Sequence, residues 1–211
     1  MTRAVAPRPP IRWGEAPRGG RIGAGLVAFV ARVRSMVGAA PTRTRSSLPA
    51  LPVALRRGEL AERYLAAERV ADHPQAGASA TAAAERAFAS EAWWPADVWG
   101  HRALWHYEQG RMELAATRAA RFIGDVRVAG GDPGSGRRYY AEAISEARDI
   151  GAEREEGLAA LGMGRAELEL GNVTVARRLA AIAMDLLERS GAAAEELAAA
   201  RELRGEEKEV G

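Results

Sequence analysis

From residue 57 onward the chain is cut at short intervals by glycine and proline, and nothing between the cuts alternates as a strand would. The breaks fall at His73-Pro74, Trp94-Pro95, Gly110, Gly130-Gly131-Asp132-Pro133, Gly151, Gly171-Asn172 and Gly191. Between them the chain is rich in Ala, Glu, Arg and Leu, all strong helix formers. The pattern predicts helices near 57–71, 77–92, 96–109, 113–129, 135–149, 154–170, 174–188 and 192–204. Every connector is short, so consecutive helices should pack antiparallel. Pro95 suits the first turn of its helix, where a missing N–H costs nothing.

The helices carry a longer period. Residues 112–151 laid over 152–191 give ten identities, among them Gly124/Gly164, Gly131/Gly171, Arg137-Arg138/Arg177-Arg178, Ala143/Ala183 and Gly151/Gly191. A small residue sits midway along the first helix of each forty-residue unit, and a glycine opens the turn seven residues later. Small residues then recur in the second helix, at Gly136/Ala176 and Ala143/Ala183. Such positions let two helices of a hairpin approach closely. A further step of forty extends the pattern to 72–111.

The segment "ALGMGRAELELGNVTVARRLAAIAMDLL" resembles a tetratricopeptide repeat (TPR). Gly164, Gly171, Ala176, Ala180 and Ala183 occupy that family's small positions and Met163 its leucine position. Ala160 and Glu167 replace its tryptophan and tyrosine. The forty-residue length is similar to the repeats in sensor regions of large bacterial transcription activators. The resemblance implies an all-α, right-handed superhelix of antiparallel helix hairpins, with repeats at 72–111, 112–151 and 152–191. Residues 57–71 and 192–204 would be end helices within a domain spanning 57–211.

The stretch "EAWWPADVWGHRALWHYEQG", residues 91–110, holds four of the five tryptophans. On a helical wheel Trp99, Ala103, Leu104 and Tyr107 share one face, the stripe expected in a core. Trp105 and Val98 fall on another side with His101 and Arg102. Trp93 and Trp94 are expected in the turn before the helix, as filler or as a contact patch. His101 and His106 stand about 140° apart around the helix and cannot hold one metal from one face; solvated positions are expected for both.

No motif supports catalysis or a cofactor. The "GDPGSGRR" of residues 131–138 mimics a phosphate loop but lacks its lysine and hydroxyl, and no strand precedes it. An ordinary hairpin turn is expected there. The acidic "AEREEG" and "GEEKEV" read as solvated ends. Zero cysteines exclude disulfides and thiolate chemistry, and permit a reducing compartment.

Charge divides the chain. Residues 1–57 hold eleven arginines against Glu15 alone, while the rest holds 19 basic and 27 acidic residues. Residues 1–56 are expected to be a basic, largely disordered arm with an amphipathic helix at 21–37, joined through the linker "AAPTRTRSSLPALP". The apolar run 22–31 is too short to span a bilayer, and Arg32 and Arg34 stand where a signal peptide would be cleaved. The arginine-rich, acid-poor start also resembles an organelle transit peptide.

TPR proteins hold an extended peptide or helix in the groove lined by the first helix of each repeat. The resemblance places Thr81, Glu85, Phe88, Arg118, Arg121, Asp125, Leu161, Arg165 and Glu169 in that groove. Arg118, Arg121 and Arg165 would form a basic strip able to take carboxylates bidentately, unless they pair with nearby glutamates. Phe88 and Trp105 are the expected aromatic contacts. The expectation is a non-enzymatic protein-interaction module, an adaptor or regulatory sensor piece, cytoplasmic and free to sit peripherally at a membrane. The alternative is a factor acting on anionic membrane or nucleic acid through its arm.

Overall fold

The computed structural model describes residues 48–205. The arm and its helix at 21–37 lie outside these residues, as does nearly all of "GEEKEV". After a 3-10 turn, Val53–Leu55, come eight helices: α1 Glu59–Arg69, α2 His73–Ala89, α3 Trp93–Gln109, α4 Glu113–Ala129, α5 Pro133–Asp149, α6 Glu153–Glu169, α7 Val173–Arg189 and α8 Ala194–Arg204. The described residues contain no strand, and the fold is all-α. None of the described helices is long and apolar enough to cross a membrane.

Helices α2 to α7 are each 17 residues long and are joined by three-residue connectors. The forty-residue period is thus two equal steps of helix and turn. Each connector holds one left-handed residue: Ala71, Glu91, Arg111, Gly131, Gly151, Gly171 and Gly191. The residue after it reaches back to the carbonyl five positions earlier. Asp72 N–H donates to Ala67, Ala92 to Ala87, Met112 to Tyr107 and Asp132 to Arg127, at 2.8–3.0 Å. This is a Schellman closure, which satisfies a helix-end carbonyl while reversing the chain.

Two helix starts differ from expectation by three residues or more. α2 begins at His73 rather than 77, because the Asp72 carboxylate accepts from Gln75 N–H at 3.0 Å and caps the helix, with Pro74 in the first turn. α3 begins at Trp93 rather than 96, so Trp93 and Trp94 lie in its first turn and not in the connector. Pro95 lies in the first turn of its helix as expected, and Pro74 too sits just inside a helix rather than between two.

Each helix packs on its predecessor and successor, and α4–α6 and α6–α8 also meet. Alanine and glycine set the close spacing. A Cβ on Gly136 would stand 2.6 Å from Val128 and 3.0 Å from the Gly124 carbonyl, so α4 and α5 nearly touch at their backbones. The ring of Tyr140 fills the space left by two glycines. A Cβ on Gly124 would lie 2.7 Å from it, and one on Gly162 closer still. The packed body also extends upstream of residue 57. Leu51 is buried, and the Pro49 carbonyl accepts from Arg102 at 2.6 Å.

Three connectors place a side chain where glycine is favoured. Exposed Glu91, at φ 55°, makes no described ion pair. Glu91→Gly should stabilise the protein by about 0.5–1 kcal/mol, while Gly131→Ala should destabilise it by a similar or larger amount. Urea melts of both variants check the signs.

Candidate functional site

The aromatic stretch is core. Trp99 is 5% exposed and meets the Tyr64 ring edge-on at 5.2 Å. Leu104 and Tyr107 are buried beside it, and the Tyr107 hydroxyl bonds to Thr81 at 3.0 Å. Trp105 is half-buried, its ring 4.8 Å from His106 and 5.7 Å from His73. Trp93 packs edge-on against Phe88 at 5.4 Å, whereas Trp94 is 55% exposed.

His106 is not solvated as expected; it is 1% exposed. Helix α1 covers that side of α3 with Tyr64, and α2 covers it with His73. The Tyr64 hydroxyl donates to Glu68 at 2.9 Å and accepts from Arg102 at 2.9 Å. His106 Nε2 lies 3.1 Å from the same oxygen, and its Nδ1 3.1 Å from His73 Nδ1. With the Tyr64 proton directed at Glu68, a neutral His106 donates from Nε2 and accepts from His73 at Nδ1. Burial lowers the His106 pKa to about 4, with His73 and Arg102 adding to the shift. Burial likewise pushes Tyr64 up to about 12. Arg102, placed by the wheel beside Trp105, is buried; Glu68, at 3.8 Å, is its nearest carboxylate. His101 is half-buried rather than solvated, with Nε2 2.7 Å from the Tyr139 hydroxyl and Nδ1 2.8 Å from the Asp97 carbonyl.

The expected groove residues separate into paired and unpaired groups. Arg118 Nε donates to Glu155 at 2.7 Å, and Arg121 donates to Asp125 at 3.2 Å with its Nε 3.7 Å from Glu155. Tyr140 donates to the other oxygen of Asp125 at 2.7 Å. Burial raises the Asp125 pKa, against the pull of Arg121, the Tyr140 hydrogen bond and Arg165. Arg165 itself is exposed and stands outside the ion pairs of the described residues. Glu169 is exposed, Leu161 is buried, and half-buried Phe88 lies 5.6 Å from Phe122.

Glu155 and Glu156, expected at a solvated helix end, are buried under arginines from neighbouring helices. Arg118 and Arg121 cover Glu155, and Arg148 covers Glu156. Sequence reasoning missed Tyr140 and Phe122. The signal for Tyr140 was the pair of glycines, 124 and 162, that make room for its ring. No protein-family model matches the chain, and no curated protein is similar to it in sequence.

Trp99→Ala should cost about 3–5 kcal/mol, as large aromatic truncations do, and Trp105→Ala clearly less; denaturant melts compare them. The pH dependence has a definite sign. An unfolded His106 takes its proton near 6.5, the folded one only near 4. Its share of stability is therefore complete above pH 6.5 and is lost as pH falls toward 4. In melts between pH 7.5 and 4, His106→Gln should show a shallower decline than the parent protein.

Proposed function

We propose that the chain is a protein-interaction module of TPR-like form, a right-handed superhelix that takes a partner's peptide or helix along α2, α4 and α6. It acts as an adaptor or regulatory sensor component and not as an enzyme. The supporting observation is that Arg165 is exposed and outside the described ion pairs, on a face where Arg118 and Arg121 are already committed to Glu155 and Asp125. The contact of α4 with α6 brings the first helices of successive repeats together, as a groove wall requires.

On this reading Arg165 supplies the cation for a partner carboxylate, and the half-exposed rings of Phe88 and Phe122 supply the apolar anchor. The paired residues hold the wall. Arg118 and Arg121 keep Glu155 buried without an uncompensated charge, so truncating them would weaken the fold as well as binding. Arg165→Glu and Phe88→Ala are the cleaner probes. For a partner recovered by affinity capture on the full chain, each should weaken binding about tenfold or more, the scale of an interface hot spot. Trp94→Ala, on α3 and so outside the three helices of that face, should not. Calorimetric titration with the purified partner reads all three, and parental affinity in the first two would refute the groove.

A further inference from the structure

Helix α1 is 11 residues long against 17 in α2, so it covers only part of its neighbour. The connector sets Arg69 beside His73. Ten residues back along α1 lies Glu59, level with Ala83 ten residues on along α2. The last six residues of α2, about 9 Å of helix, therefore run past the start of α1. The 3-10 turn Val53–Leu55 bridges this gap incompletely, and a pocket of about 290 Å³ opens there to solvent.

The pocket floor is apolar, formed by Leu60 of α1, Ala83 and Ala87 of α2, and Trp99 of α3. Its rim is cationic. Arg57 stands just before α1, and Arg86 follows Ala83 by three residues on the same face of α2. Both arginine side chains are exposed and stand outside the described ion pairs and hydrogen bonds. Among the described residues the lining holds one acid, Glu59, and it pairs with Arg63 at 2.6 Å. Two cations over an apolar floor suit a ligand with one anionic end and an apolar body. The volume is small for a ligand site, which disfavours a peptide segment or a long lipid tail. Charge disfavours the chain's own residues 1–47, which hold nine arginines and a single acid.

We propose that this pocket binds a medium-chain aliphatic carboxylate, its tail on Ala83, Ala87 and Trp99 and its carboxylate between Arg57 and Arg86. The ligand bridges the 3-10 turn, α1, α2 and α3, and braces the end where α1 is too short to cover α2. Ala83, Arg86 and Ala87 lie on a different stripe of α2 from Thr81, Glu85 and Phe88. The pocket is thus independent of what the face formed by α2, α4 and α6 binds.

Calorimetric titration of the full chain with hexanoate, heptanoate and octanoate, each below the concentration at which it aggregates, tests the site. Binding should saturate at a single site and tighten about fourfold per added methylene, as burial of one CH₂ does. Octan-1-ol keeps the tail without the charge and should bind at least about tenfold more weakly than octanoate. Arg57→Gln with Arg86→Gln should lower octanoate affinity to the level of the alcohol. Ala87→Leu, which fills the pocket from a half-buried position, should abolish binding of both. The exposed arginine pair decides the matter if Ala87→Leu loses helicity. Uptake that does not saturate, equal affinity for the alcohol, or octanoate affinity unchanged by the arginine substitutions overturns the proposal.

Discussion

Seven reversals of the chain rest on one backbone event, a single left-handed residue between two helices. It lets the following N–H return to a carbonyl five residues back, so the six reversals from α1 to α7 need three residues each and the last, into α8, needs four. Uniform connectors fix uniform helices, and uniform helices bring equivalent positions opposite one another at every step. The close approach of α4 and α5 at Gly124 and Gly136 depends on that register. A longer loop would let the two helices slide, and Val128 would no longer meet the gap left by Gly136.

Within this frame, the buried carboxylates are matched between helices. Glu155, Glu156 and Glu167 are buried, and each meets an arginine from an adjacent helix. A buried carboxylate without such a partner would be costly, so these pairs also select which helix lies beside which. Asp97 accepts both nitrogens of Arg127 at 2.7 Å, tying α3 to α4 in the same manner. Arg165, exposed, stands outside these pairs.

The number and order of the helices were legible because Gly131, Gly151, Gly171 and Gly191 mark left-handed turns and the segments between them are uniformly helical. The start of α2 was not, since Pro74 can mark either a gap or a first turn; for α3 the first-turn role of Pro95 was legible but the start at Trp93 was not. Asp72 decides the first case by capping, a contact that depends on backbone geometry. The burial of Trp99 follows from its own helix. The burial of His106 does not, because the covering residues, Tyr64 and His73, come from two other helices. The arginines of α4 and α6 were legible as a cluster, but their partners were not. Glu155 lies 37 residues beyond Arg118, and only the stacking of α4 against α6 brings them together.

The bond between Arg102 and Pro49 also bears on the order in which the body is completed. Most contacts in a stack of neighbouring helices are short in sequence and form quickly. This one spans 53 residues. During synthesis the segment around Pro49 emerges first, yet its anchor on α3 follows roughly 3–10 s later at usual elongation rates. Leu51 has no finished site to enter in that interval, and Tyr64 awaits both Trp99 and His106. The first-made end of the body is thus the part that must wait, and α3 closes it.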